Sequence, residues 1–220
     1  MSRRTAILLV ALAALGVVPA LSSAMPPPAS FSARVVNPWF PLRHGMRWTY
    51  RGVKDGKPSR DVVVVSRRGA TIDGVPCVAV LDRLYLRGRL EERTTDWYSQ
   101  DAQGDVWYLG EDTAELDVHG RVTTTEGTWR AGVDGAVAGI YMPAHPRVGQ
   151  TGRQEYYRGH AEDRFRVIAR FGPNAVLTQE TTRLEPGVVD HKLYVRGVGT
   201  VLEQTVRGGD ERNELVTMTH

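Results

Sequence analysis

The chain has 220 residues, 41% hydrophobic and 24% charged, with a formal net charge of +3. That composition is neither disordered nor low in complexity, and about 195 residues beyond an N-terminal leader suit one domain with a substantial core. The basic residues form no run or face, which excludes an argument for nucleic acid, and the single cysteine, Cys77, excludes an intrachain disulfide.

The N-terminus reads as a secretory signal peptide over residues 1–24. Arg3 and Arg4 supply a positive start, Thr5 to Val18 is apolar after its first residue, and Ser22-Ser23-Ala24 places small residues at a cleavage site. The apolar run is too short to span a bilayer comfortably. Cleavage removes two arginines and no acid, so the net charge falls to +1. The expectation is a secreted or cell-envelope protein with no transmembrane segment. No cysteine follows the apolar run, so no lipid anchor is expected either. Arginine replaces lysine almost throughout, which with abundant Ala, Gly and Val fits a GC-rich bacterial genome; only Lys54, Lys57 and Lys192 remain.

Residues 25–36 read as a flexible Pro-rich leader, with a single β domain over 37–220. Asn37-Pro38-Trp39-Phe40-Pro41-Leu42 fixes the backbone around an apolar pair and reads as a lid tucked against one end of the fold. Strands are expected at Met46–Val53, Arg60–Arg67, Val75–Asp82 and Leu84–Leu90 (broken by Gly88), with turns at Asp55-Gly56 and Asp73-Gly74. Glu91–Tyr98 leads into a hairpin in which Trp97-Tyr98 and Trp107-Tyr108 flank a turn ending at Gly104. Shorter strands follow at Glu115–Val118, Arg121–Thr125 and Thr128-Trp129. Ala131 to Gly152, rich in Gly, Ala and Pro, reads as a long loop that covers or crosses the domain.

Strands resume at Arg153–Tyr157, Asp163–Phe171, Val176–Leu184, Val188–Arg196, Thr200–Val206 and Asn213–Met218. Short turns between them predict antiparallel pairing, and no 3.6-residue apolar period competes. The fold class is all-β: one strongly curled antiparallel sheet, or a half or full barrel, of roughly ten to twelve strands with little helix. The propeller-like turn at Asp101–Trp107 occurs once, and a propeller needs it repeated.

Motifs for chemistry are weak. Asp101, Gln103, Asp105 and Asp112 faintly match a calcium loop, but Val106 stands where glycine belongs, so a hairpin turn is preferred. The six histidines lack zinc spacing; a spatial set from His145, His160 and Asp190 or His191 is the residual metal reading. No serine lies in a nucleophile elbow, and no Gly-rich loop opens a helix. Cys77, among apolar neighbours, reads as a core residue. A rival reading is an extracytoplasmic hydrolase using His145, His160, Glu162 or Asp163. A third is a glycan or cell-wall module with exposed tryptophans. What stands out is the aromatic set. A curled sheet that does not fill its interior offers a cavity, and Trp and Tyr bring an apolar body with a polar handle.

Two stretches resemble known sequences. Asn37 to Tyr50 resembles the "NP-aromatic-FPL-x-x-G-x-x-W-x-Y" opening of a family of exported bacterial β-sheet proteins. Tyr194-Val195-Arg196-Gly197-Val198-Gly199-Thr200-Val201 resembles the "Y-x-x-G-V-G-x-V" close of the same proteins. That close is also similar to one in lipoprotein-carrier-like envelope proteins, whose fold is a half-open antiparallel barrel. The central hairpin and Gly139–Pro143 fit the first family too. The resemblance implies location and fold rather than chemistry, and the carriers lack the opening motif. The reading is a non-catalytic exported protein without cofactor or metal, binding a lipid or other apolar or amphipathic small molecule on the concave face of its sheet. Trp97, Trp107, Tyr108, Trp129, Tyr141, Met142 and His145 are the expected binding residues.

Overall fold

The computed structural model describes residues 25–220; the expected signal peptide and its cleavage site, residues 1–24, lie outside them. The described residues form one antiparallel sheet of sixteen strands and a short 3-10 turn at Pro28–Ser30. The strands are β1 (Phe31–Ser32), β2 (Arg47–Lys54), β3 (Lys57–Ile72), β4 (Val75–Leu86), β5 (Arg89–Asp101), β6 (Val106–Leu116), β7 (Val122–Thr124) and β8 (Trp129–Arg130). The second half supplies β9 (Val137–Met142), β10 (Thr151–Arg153), β11 (Glu155–Tyr156), β12 (Asp163–Phe171), β13 (Ala175–Thr182), β14 (Val189–Val195), β15 (Gly199–Arg207) and β16 (Arg212–Thr219). The count exceeds ten to twelve because β1, β7, β8, β10 and β11 are pairings of two or three residues. Of these, β7, β8 and β11 overlap strands expected from the sequence, whereas the two residues of β1 leave no period-2 signature.

The wall runs β12-β13-β14-β15-β16-β2-β3-β4-β5-β6-β9. Most neighbours are hairpins of adjacent strands, as the short turns require. At Arg87-Gly88, both residues take positive φ (50° and 84°), the backbone of a tight two-residue hairpin, so β4 ends and β5 begins there. The break expected at Gly88 within Leu84–Leu90 is therefore the turn between two strands. The last strand, β16, returns to pair with β2, Met218 opposite Trp48. The two ends of the sheet are then joined by one segment: β10 pairs with β12 and β11 pairs with β9. A sheet of this width curls under its own twist, and the segment 151–156 sews it into a nearly closed barrel.

That joint overturns the reading of residues 131–152 as a loop, since β9 is a wall strand paired to β6. Glycine here serves close approach rather than a turn. A Cβ at Gly139 would stand 2.4 Å from the carbonyl oxygen of Arg153 on the facing segment.

One end of the barrel is plugged by Asn37–Leu42, in keeping with the lid expected there. Trp39 and Leu42 of the plug are buried, as are Met46 and Trp48 just after it. The Asn37 side chain clamps it: Nδ2 donates to the carbonyls of Gly104 (2.9 Å) and Pro143 (3.3 Å), and Oδ1 accepts the Trp39 amide (2.8 Å). The opening and closing motifs meet here. Trp48 Nε1 donates to the Val198 carbonyl (2.8 Å), the Tyr50 hydroxyl to Thr200 (3.0 Å), and the Gly197 amide to Pro38 (2.7 Å). Two motifs 150 residues apart are thus one structural unit. The fold begins ahead of Asn37, because Phe31 pairs with Asp101 and Val35 is buried.

Candidate functional site

Strand alternation decides what faces the lumen. Successive residues point to opposite faces, so each Trp-Tyr pair of the central hairpin must split across the wall. Tyr98 and Tyr108 turn inward, and Trp97 and Trp107 turn outward. Trp107 is buried under Phe31 of β1, ring centroids 5.9 Å apart, and its Nε1 donates to Asp101 (2.8 Å). Trp97 lies beneath the Arg130 guanidinium at 4.7 Å.

The lumen holds a cavity of about 290 Å³. Its floor is aromatic: Phe40 from the plug packs on Tyr98 (5.2 Å) and Tyr141 (4.7 Å), and Tyr98 stacks on Tyr108 (4.8 Å). Its remaining lining is dominated by acids, alongside Tyr50, Val63, Val80, Gln154, Thr200 and Asn213. Asp61, Asp82, Asp96, Glu111, Glu155, Asp163, Glu180 and Glu203 all border it, against one cation, Lys192. The concave face is therefore not the apolar surface expected, because strand positions in phase with inward Val63, Val80 and Tyr98 carry Asp61, Asp82 and Asp96.

The charges fall into groups. Lys192 Nζ bridges Glu180 Oε2 (3.0 Å) and Glu203 Oε1 (3.1 Å). Burial opposes the lysine's charge, but the two carboxylates outweigh it and hold its pKa above the ordinary value. The other six acids form no salt bridge among the described residues. Asp61 and Asp82 sit on the paired strands β3 and β4, Asp61 Oδ1 has no hydrogen-bond partner, and burial raises both, Asp82 strongly. The Tyr108 hydroxyl faces Asp96 at 2.5 Å and Glu111 at 3.1 Å, with a single proton to give. Burial, against the Tyr108 hydrogen bond, pushes Asp96 up to about 7. Burial and the neighbouring Asp96 push Glu111 up to about 8. Burial, then Asp163, raises Glu155 well above the carboxylate range.

The seam adds two side chains. Neighbours on a regular strand diverge, yet Gln154 and Glu155 both line the cavity, because the chain bends at Gln154 between β10 and β11. Gln154 is 2% exposed, and its Nε2 has no hydrogen-bond partner.

Of the seven expected binding residues, Tyr108 and Tyr141 line the cavity. Trp129 packs edge-on behind Tyr108 at 5.4 Å, with Nε1 facing Glu155 outside hydrogen-bond geometry. Trp97 and Trp107 lie on the outer face, Met142 is fully buried away from the lumen, and His145 is exposed. Among the hydrolase residues, only Asp163 borders the cavity. His160 is exposed and stacks on Tyr157, while Glu162 accepts the Gly159 amide. Among the described residues no three His, Cys, Asp or Glu converge as a metal site. The faint calcium loop is a turn: Asp101 Oδ1 accepts the amides of Gln103 and Asp105, and Asp105 accepts that of Ala144. Among the described residues no helix is long and apolar enough to cross a membrane.

No family model and no curated protein matches the chain. A solved structure of a provisionally assigned lipoprotein from Parabacteroides distasonis ATCC 8503 is similar, with a TM-score of 0.42 and 10% identity, over 82% of this chain and 98% of that one. That likeness is too loose to carry function across.

Proposed function

We propose that this is an exported, non-catalytic binding protein that holds a small amphipathic molecule in the lumen of its barrel. The observation that carries the reading is the two-sided cavity, an aromatic floor of Phe40, Tyr98, Tyr108 and Tyr141 beneath a polar wall. Such a lining gives an occupant both apolar contact and orientation, the usual division of labour in ligand pockets. Its volume lies at the small end of that class, so the occupant is a small molecule rather than a full-length lipid. The positive, apolar and small-residue run of residues 1–24 supports export to the cell envelope or beyond. Binding is favoured over hydrolysis because the two histidines available for acid–base work lie outside the cavity.

The test is native mass spectrometry of the protein purified from its own exported fraction, followed by organic extraction. A bound species released by extraction and reduced in Tyr141→Ala supports luminal binding. A clean apo mass, persisting after incubation with a total small-molecule extract of the producing cells, overturns it.

A further inference from the structure

We infer that the luminal occupant is an organic cation, a small protonated amine that also carries an acceptor oxygen, with its carbon skeleton on the tyrosine floor. This rests on the luminal-binding reading and names the ligand class. Six carboxylates border the cavity with no salt-bridge partner, while Lys192 is already shared by Glu180 and Glu203. Buried like charges are held neutral by protons or matched by an incoming cation. An ammonium supplies both the charge and the N–H donors that carboxylate oxygens need.

Gln154 is the independent pointer. It is 2% exposed, reaches the cavity only because the seam bends there, and leaves its Nε2 donor unused. A buried amide donor without a partner is unfavourable unless something in the cavity accepts from it. A metal ion cannot accept a hydrogen bond, and no three metal-ligating side chains converge among the described residues. A hydroxyl or carbonyl on the same small molecule as the amine satisfies Gln154. Tyr98, Tyr108 and Tyr141 line the same cavity, and aromatic rings attract a nearby cation as well as apolar carbon.

Calorimetric titration of the exported protein with matched probes of one skeleton tests this: 2-amino-1-phenylethanol, 2-phenylethylamine, 2-phenylethanol and 3-phenylpropionate. The expected order is amino alcohol, then amine, each at least tenfold tighter than the neutral alcohol, with no binding of the carboxylate. Near pH 7 the amine's heat should vary with the buffer's ionisation enthalpy, because the cation displaces protons from the acidic wall. Gln154→Leu should remove the amino alcohol's advantage over the amine, a comparison that a general loss of folding would not mimic. Tight binding of 2-phenylethanol or 3-phenylpropionate with weak or no amine binding overturns the cation inference and leaves luminal binding standing. Binding of no probe, together with a clean apo mass, overturns both.

Discussion

Lys192 Nζ lies 3.0 Å from Glu180 Oε2, and this pair sits on adjacent strands β14 and β13 with both side chains largely buried. Thr178 also donates to Glu180, at 3.2 Å. Removing one partner of a buried pair leaves the other charge uncompensated, which is the expensive case. Lys192→Met should destabilise the fold by roughly 3 kcal/mol at neutral pH. The double variant Lys192→Met/Glu180→Leu should recover much of that loss. Urea unfolding of both variants checks it; a single variant as stable as the parent would mean the pair contributes nothing.

Stability should fall as pH rises. Asp96 and Glu111 are pushed up to about 7 and about 8 in the folded state, against ordinary values of 3.8 and 4.5. The folded protein therefore binds more protons than the unfolded chain between those limits. The stabilisation is fully present below about pH 4 and is lost as pH climbs through 7 to 8. Asp96 is influenced by Tyr108, Asp82, Glu92 and Lys192, and Glu111 by Asp96, Tyr108, Glu92 and Asp163; of these the Tyr108 hydrogen bond opposes both shifts and Lys192 opposes that of Asp96. Thermal melts at fixed ionic strength should give a higher Tm at pH 5.5 than at pH 8.5. Asp96→Asn should flatten the slope.

The seam is predicted to be intolerant of a single methyl group. Gly139→Ala would place Cβ 2.4 Å from the Arg153 carbonyl oxygen, and backbone on both sides cannot give way cheaply. The cost is about 2 kcal/mol by the usual penalty for overpacking, and it should be local. Hydrogen exchange should rise in residues 137–142 and 151–156 while β2–β4 stay protected. Uniform exchange across the barrel would show that the seam is not a separable element.

The Asn37 side chain is one of the polar anchors of the plug, beside Gln100 Oε1, which accepts the Val36 and Asn37 amides. Asn37 is 2% exposed and makes the bonds that join the N-terminal segment to the β5–β6 turn and to the end of β9. Asn37→Ala leaves those buried carbonyls unpaired, a loss of about 1–3 kcal/mol. Limited trypsin digestion should then cut at Arg34 or Arg43 well before the barrel is cleaved. An unchanged digestion pattern would argue that the burial of Trp39 and Leu42 and the remaining Gln100 and Gly197 hydrogen bonds hold the plug without the Asn37 side chain.

Cys77 should be chemically silent. It is 1% exposed, burial pushes its thiol up to about 12, and its S–H donates to the Val75 carbonyl. Ellman's reagent at pH 8 should find no thiol in the native protein and one equivalent per chain in guanidinium. Native-state labelling would mean that the wall opens there on the assay's timescale.

The sequence alone determined the all-β class, the antiparallel order and most strand positions. These follow from local signals, short turns and alternating side chains, which act over a few residues. Asp163–Phe171 is read to the residue, and the hairpin between Trp97-Tyr98 and Trp107-Tyr108 stands where its turn residues place it. The same alternation could have split each Trp-Tyr pair and revealed Asp96 as inward, because it shares a face with Tyr98. Grouping the aromatics by composition hid that. What only the tertiary structure decided is the character of the lumen. The closing of residues 151–156 onto both β9 and β12, and the convergence of Asp61, Glu111, Glu155 and Glu203 from separate strands, depend on contacts between distant parts of the chain. No local pattern encodes such contacts, because barrel closure is set by the accumulated twist and register of the whole sheet.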